Sequence, residues 1–159
     1  MGEPVNVKKP AALFVVAVAL LAGTSVTASA ADPAGTRVTG LQEAAEQVVG
    51  NDRMPLEVTA DAVRYDGLTV TTAPEGNSVK ALACDYGHLC MLVNGQKFDF
   101  YKCQTWKLTN WTGNGPFTNN QTPGTVAKFY NQDGSVRWTS TAYQAGTATW
   151  DPIWSLRPC

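Results

Sequence analysis

Leu89-Cys90-Met91-Leu92-Val93-Asn94-Gly95-Gln96-Lys97-Phe98-Asp99-Phe100-Tyr101 is the stretch that decides the fold class. Leu89 to Val93 is one apolar run. Asn94-Gly95 comes immediately after it, and then Phe98 and Phe100 alternate with Lys97, Asp99 and Tyr101. Asn and Gly tolerate the positive φ that a type I′ turn demands, so the stretch predicts a β-hairpin. Downstream, Val126-Ala127-Lys128-Phe129-Tyr130 and Val136-Arg137-Trp138-Thr139 flank Asn131-Gln132-Asp133-Gly134, a second hairpin of the same kind. Trp150 to Leu156 is a third candidate strand. Pro152 interrupts it and sends it to an edge or a bend. No stretch of helical period is present after Lys80. Short strands separated by regular turns point to an all-β sandwich or a partly closed barrel.

Upstream the pattern changes. Leu41, Ala44, Ala45 and Val48 fall at helical spacing with Glu43 and Glu46 turned outward, and Gly50-Asn51 ends that helix. Val63-Arg64-Tyr65-Asp66-Gly67-Leu68-Thr69-Val70 carries the Asp-Gly signal of a two-residue hairpin. An isolated hairpin is marginal in water, so this one must dock on the cysteine-rich domain or stay mobile. Ala73 to Ser78 reads as a linker.

Cys84, Cys90, Cys103 and Cys159 all lie beyond that linker. At the other end of the chain, Lys8 and Lys9, the apolar run Ala11 to Leu21, and Ala28-Ser29-Ala30 form a secretory leader with its cleavage site. The apolar run is shorter than the roughly 20 residues a spanning helix needs, so no membrane association is expected once the leader is cut. An even cysteine count in an exported chain implies two disulfides. Four cysteines allow three pairings. The expected set is Cys84–Cys90, clamping a short loop, and Cys103–Cys159, tying the chain end to an early strand. The resulting division is leader 1–30, an acidic extension 31–82 holding helix and hairpin, and a disulfide-stabilised β-domain 83–159.

Charge excludes one class of partner. Residues 31–82 hold eight acids and four bases, a net of −4, and residues 83–159 hold four acids and six bases, a net of +2. There is no basic stripe to neutralise phosphates, so no nucleic-acid partner is expected. All five tryptophans lie in the second part: Trp106, Trp111, Trp138, Trp150 and Trp154. No catalytic constellation stands out. His88 is the lone histidine, no G-x-S-x-G elbow is present, and disulfides would occupy every cysteine. Zinc spacing is missing, and the neutral amides of Asn119 and Asn120 compensate a divalent cation poorly, so neither a cofactor nor a metal is expected.

The segment from Asn110 to Thr125 is rich in Asn, Gly and Thr with interleaved aromatics. It reads as a long ordered loop whose amides cap their own backbone. A sharper reading makes it a binding loop, with Trp111 and Phe117 as contact anchors beside Asn119 and Asn120. Asn110-Trp111-Thr112 and Asn120-Gln121-Thr122 also fit the glycosylation acceptor pattern.

Cys84-Asp85-Tyr86-Gly87-His88-Leu89-Cys90 resembles the C-x-x-G-x-x-C start of secreted actinomycete proteins grouped with the Streptomyces metalloproteinase inhibitor. The strand, Asn turn and aromatic from Asn94 to Phe98 are similar to the continuation of that motif in the family. So are the paired asparagines of Asn119-Asn120-Gln121-Thr122, and Tyr65-Asp66-Gly67 resembles its N-terminal extension. The resemblance covers roughly residues 61–159. It implies a small disulfide-linked βγ-crystallin-like fold of Greek-key hairpins, and inhibition of an extracellular protease. The alternative expectation is an extracellular carbohydrate or cell-wall binding module, with Trp106, Trp111 and Trp138 as stacking platforms on a polysaccharide.

Overall fold

The computed structural model describes residues 32–73 and 82–159. The expected leader and most of the expected linker lie outside the described residues. Within them the chain forms one helix and eleven strands, and these residues make one compact unit.

Helix α1 (Pro33–Val49) begins well before Leu41, because Asp32 and Pro33 supply its start. The Asp32 carboxylate accepts from the Ala34 N–H at 3.0 Å, and proline is tolerated in the first turn, where its missing donor is not needed. Gly50 ends the helix at φ 75°, its N–H donating to the Glu46 carbonyl. The expected face is the buried one: Leu41, Ala44, Ala45 and Val48.

The strands are β1 (Glu57–Val58), β2 (Ala62–Tyr65), β3 (Leu68–Thr72), β4 (His88–Val93), β5 (Gln96–Phe100), β6 (Trp106–Lys107), β7 (Asn114–Asn120), β8 (Val126–Tyr130), β9 (Val136–Thr141), β10 (Gln144–Thr149) and β11 (Ser155–Arg157). They form two antiparallel sheets, ordered β1-β2-β3-β5-β4-β7-β10 and β6-β11-β8-β9. The chain is thus mostly β and disulfide-linked, as expected. All three turn-signalled hairpins form: β2–β3 around Asp66-Gly67, β4–β5 around Asn94-Gly95, and β8–β9. Asn94 and Gly95 take φ 49° and 81°, the left-handed pair that a type I′ turn requires.

The early hairpin docks. Strand β3 pairs with β5 from Leu68↔Phe100 to Thr72↔Gln96, so the boundary drawn at residue 82 falls inside a single sheet. One face of that sheet carries Val63, Tyr65, Leu68, Val70, Leu89, Met91, Phe98, Phe100 and Phe117, all buried. Aromatic contacts close the core. Phe98 meets Trp111 at 4.8 Å, Phe100 meets Trp106 at 5.4 Å and Trp111 meets Trp150 at 5.8 Å, while Trp138 stacks on Phe129 at 3.8 Å. Burying each such side chain contributes about 1.5–3 kcal/mol.

Two expectations need correction, and one strand was not expected at all. The segment 110–125 is not a loop, because Asn114 to Asn120 form the interior strand β7 between β4 and β10. Its amides and hydroxyls hide a period-2 pattern in which Phe117 and Asn119 face inward. The run expected from Trp150 to Leu156 is a strand only at Ser155–Arg157. Asp151 and Pro152 form a turn closed by Ile153 N–H on the Trp150 carbonyl at 2.8 Å. Strand β10 gave no apolar signal, since Gln-Ala-Gly-Thr-Ala-Thr carries no large side chain.

Both expected disulfides form, Cys84–Cys90 and Cys103–Cys159, with Cα separations of 5.6 and 5.4 Å. They suit an oxidising environment. No helix among the described residues is long and apolar enough to cross a membrane.

Candidate functional site

Strand β7 places its two paired asparagines on opposite faces, because successive side chains in a strand alternate. Asn119 turns inward and is fully buried. Its amide donates to the Ser140 carbonyl on β9 at 2.8 Å, and its oxygen accepts from the Gln121 side chain at 3.0 Å. Gln121 in turn donates to the Pro158 carbonyl at 2.5 Å. Asn119 therefore stitches the two sheets and the chain end together. Asn120 turns outward, and its amide donates to the Cys84 carbonyl at 2.8 Å, holding the disulfide loop.

That loop joins two others in one network. Gly87 N–H donates to the Asn120 carbonyl at 2.8 Å, and the Tyr86 hydroxyl reaches Thr122 Oγ1 at 3.5 Å. Gly124 N–H bonds the Ala142 carbonyl at 3.1 Å, and Ala142 N–H bonds the Thr125 carbonyl at 2.9 Å. Residues 84–87, 121–125 and 142–143 thus form one braced end of the fold. From it project Tyr86, 68% exposed, and Tyr143, 62% exposed, with Thr122 and Pro123 also in solvent.

The residues expected as contact anchors lie elsewhere. Trp111 and Phe117 are core side chains, 3% and 5% exposed, and Asn119 has no exposure. The expected binding loop is corrected accordingly: only Asn120 and its neighbours touch the braced end. Of the three tryptophans expected as stacking platforms, Trp106 and Trp111 are buried and Trp138 is packed against the core. Trp154 is the exposed one, at 49%, beside Asn131, Gln132, Asp133 and Pro152 around a shallow hollow. Tyr86 and Tyr143 had no signal in the sequence, since an isolated tyrosine in a turn looks the same buried or exposed.

Chemistry centres on His88. Its Nδ1 lies 2.5 Å from Asp99 Oδ1, and the Lys97 ammonium sits 3.4 Å from Asp99 Oδ2. The ring stacks on Tyr101 at 5.3 Å. Asp85, His88 and Asp99 bring their donor atoms within 4.8 Å of one another; Asp85 and His88 are already close in sequence, but Asp99 joins them only because β4 and β5 pair. Both Asp99 oxygens are engaged, one by the imidazole across the strand pair and one by the ammonium of Lys97 on its own strand, so the set is better described as a cross-strand hydrogen-bonded network than as a metal cradle. No nucleophile joins it among the described residues, where every cysteine is bridged. Away from this centre, Asp133 accepts from Ser135 Oγ at 2.6 Å and Ser135 N–H at 2.9 Å, and these bonds hold its carboxyl below the usual range.

No family model, no curated protein and no solved structure matches this chain.

Proposed function

We propose that this is a secreted, non-enzymatic protein that inhibits an extracellular protease. The observation that carries the reading is the braced end of the fold: three loops tied to one another and to a disulfide, presenting Tyr86 and Tyr143 to solvent. A loop already held in one conformation loses little entropy on binding, which is how small inhibitors reach useful affinity. Tyrosine is enriched among residues that dominate protein interfaces. The family resemblance of Cys84 to Cys90 falls on the same loop. The Greek-key refinement is supported by β7 and β10 pairing in one sheet while the intervening hairpin β8–β9 lies in the other.

The test is titration of the full chain against a thermolysin-like and a subtilisin-like protease. Inhibition at micromolar concentration is expected. A Tyr86→Ala/Tyr143→Ala pair should weaken it by about 100-fold, since each anchor of this type is worth about tenfold or more. Full protease activity at about 100 µM inhibitor, a binding energy of barely 5.5 kcal/mol, ends the proposal.

A second reading, binding of a polysaccharide, keeps one specific support. Trp154 offers an exposed ring beside the amides of Asn131 and Gln132, the pairing of flat apolar face and hydrogen-bonding rim that suits a sugar. Retention on chitin, cellulose or peptidoglycan that disappears in Trp154→Ala would select this reading over inhibition.

A further inference from the structure

The geometry points to a second binding surface: the free edge of β10, which we propose accepts an extended peptide as an added strand. Strand β10 ends the larger sheet and β9 ends the smaller one, so the sandwich is open along this side. The ladder fixes the direction of the unpaired backbone groups. Trp150 N–H donates to the Gly113 carbonyl at 2.8 Å, so Trp150 faces β7. By the alternation of antiparallel pairing, Gln144, Gly146 and Ala148 also turn their N–H and C=O groups towards β7. Ala145, Thr147 and Thr149 turn theirs outward. All three are exposed, and among the described residues none makes a backbone bond beyond the sheet.

Proteins normally blunt such edges with lysine, proline or a bulge. None of these is present here. The sequence of β10 holds no charge and no proline, and its pairing with β7 is unbroken over six residues. The exposed edge also borders a groove of about 340 Å³, lined by Phe117, Trp138, Arg137, Gln144 and Thr147 to Thr149. Gly146 lies opposite Phe117 in the ladder, and even a methyl group there would come within 3.2 Å of that ring. The absent side chain leaves the groove open beside the half-buried ring of Trp138, with the buried Phe117 ring as its floor.

These features specify the occupant. Backbone pairing requires an extended segment. The groove takes an aliphatic side chain at the position beside Phe117 and Trp138. Arg137 is the only charged residue on β7, β9 and β10, and among the described residues its one side-chain hydrogen bond is to Asn131 Oδ1 at 3.3 Å, so it favours an acidic neighbour on the peptide. A second copy of β10 fits less well. Its groove-facing residues would again be Gln144, Gly146 and Ala148, none of which fills the aromatic hollow.

The probe is a fluorescein-labelled eight-residue peptide of alternating threonine and leucine with one terminal glutamate, read by polarisation against the full chain. Micromolar binding is expected, with amide shifts concentrated at Ala145, Thr147 and Thr149. Thr147→Pro removes an outward N–H that no native bond uses, so it should weaken the probe at least tenfold while leaving the melting temperature nearly unchanged. Arg137→Glu should weaken the glutamate probe about threefold and tighten its lysine counterpart, the range of an exposed ion pair. Should Thr147→Pro unfold the chain, Ala145→Pro, which removes another outward N–H that takes no part in the ladder, gives the same readout. Unchanged polarisation at 1 mM probe, or binding indifferent to both edge variants, overturns the assignment. A dimer in sedimentation that Thr147→Pro dissociates would also overturn it, assigning the edge to a second copy. Protease inhibition by the braced end is unaffected by any of these results.

Discussion

Gly115→Ala is expected to be among the most damaging single-methyl changes in this chain. The reason begins at Pro116. Cys90 and Leu92 face β7, and past the last ladder pair Pro116 stands opposite Leu92 without an N–H to give. The Leu92 carbonyl is satisfied instead by the indole N–H of Trp150, at 3.0 Å. Trp150 can reach it only across Gly115. A Cβ at residue 115 would overlap the Leu92 carbonyl oxygen and lie 2.7 Å from Trp150 Nε1. Neither neighbour can retreat: one is backbone in an interior strand, and the other is a fully buried ring packed on Trp111. Overpacking of this kind costs about 1–3 kcal/mol. Losing the indole bond strands a buried carbonyl, which costs about 1–3 kcal/mol more. The expected destabilisation is therefore about 2–6 kcal/mol, a large share of the roughly 5–15 kcal/mol that holds a domain folded. At about 4 °C per kcal/mol, the melting temperature should fall by about 8–24 °C. Calorimetry or circular-dichroism melts of the two proteins measure this directly. Gly40→Ala is the control. It sits in α1 with nothing within 4 Å of an added methyl, and should stabilise by about 0.5–1 kcal/mol. A Gly115→Ala melting temperature within about 3 °C of the parent would refute the account of how Leu92, Pro116 and Trp150 fit together.

Three other outcomes are expected. Replacing Cys103 and Cys159 by alanine releases a loop spanning 56 residues and should cost about 4 kcal/mol by the chain-entropy relation, seen as a lower urea midpoint. Burial, aided by the nearby Glu46 carboxylate, pushes the Tyr65 hydroxyl above its usual pKa. Its stabilising contribution is therefore complete below about pH 10 and lost as pH rises through the folded value, so the parent should lose melting temperature relative to Tyr65→Phe only above about pH 10. Asn119→Ala and Asn120→Ala should differ sharply in urea denaturation. The first strands a buried Ser140 carbonyl and Gln121 N–H, costing about 2–4 kcal/mol, while the second loses one part-buried bond, about 1 kcal/mol.

Much of the architecture was legible because it is written in local chemistry. Asn94-Gly95 and Asp66-Gly67 specify their turns whatever surrounds them, and the apolar spacing of Leu41, Ala44, Ala45 and Val48 fixes which helix face is buried. The illegible parts depend on neighbours. Strand β7 escaped notice because Asn119 is polar yet interior, and its burial is tolerable only once Ser140 and Gln121 arrive to satisfy it. Strand β10 escaped notice because its side chains are small, and only its pairing to Phe117 and the rest of β7 makes it a strand. The same logic applies to Trp111, which composition suggested for a contact surface. A tryptophan in an Asn-rich stretch looks wet until the fold sets its ring against Phe98 and Trp150.

The two proposed surfaces arise from that same division of labour. Interior strand β7 uses its amides to hold the molecule together: Asn119 joins the sheets and Asn120 fixes the disulfide loop, so neither is free to bind. Rigidity at the braced end is the result, and it is the condition Tyr86 and Tyr143 need in order to act as anchors. On the other flank, the small residues of β10 leave a groove at the sheet edge beside the half-buried Trp138, floored by the buried Phe117. Larger side chains at residues 146 and 148 would have sealed the sandwich. Their absence costs buried apolar area that an ordinary edge strand would gain, and an added strand is the arrangement that restores both the backbone bonds and the missing contact.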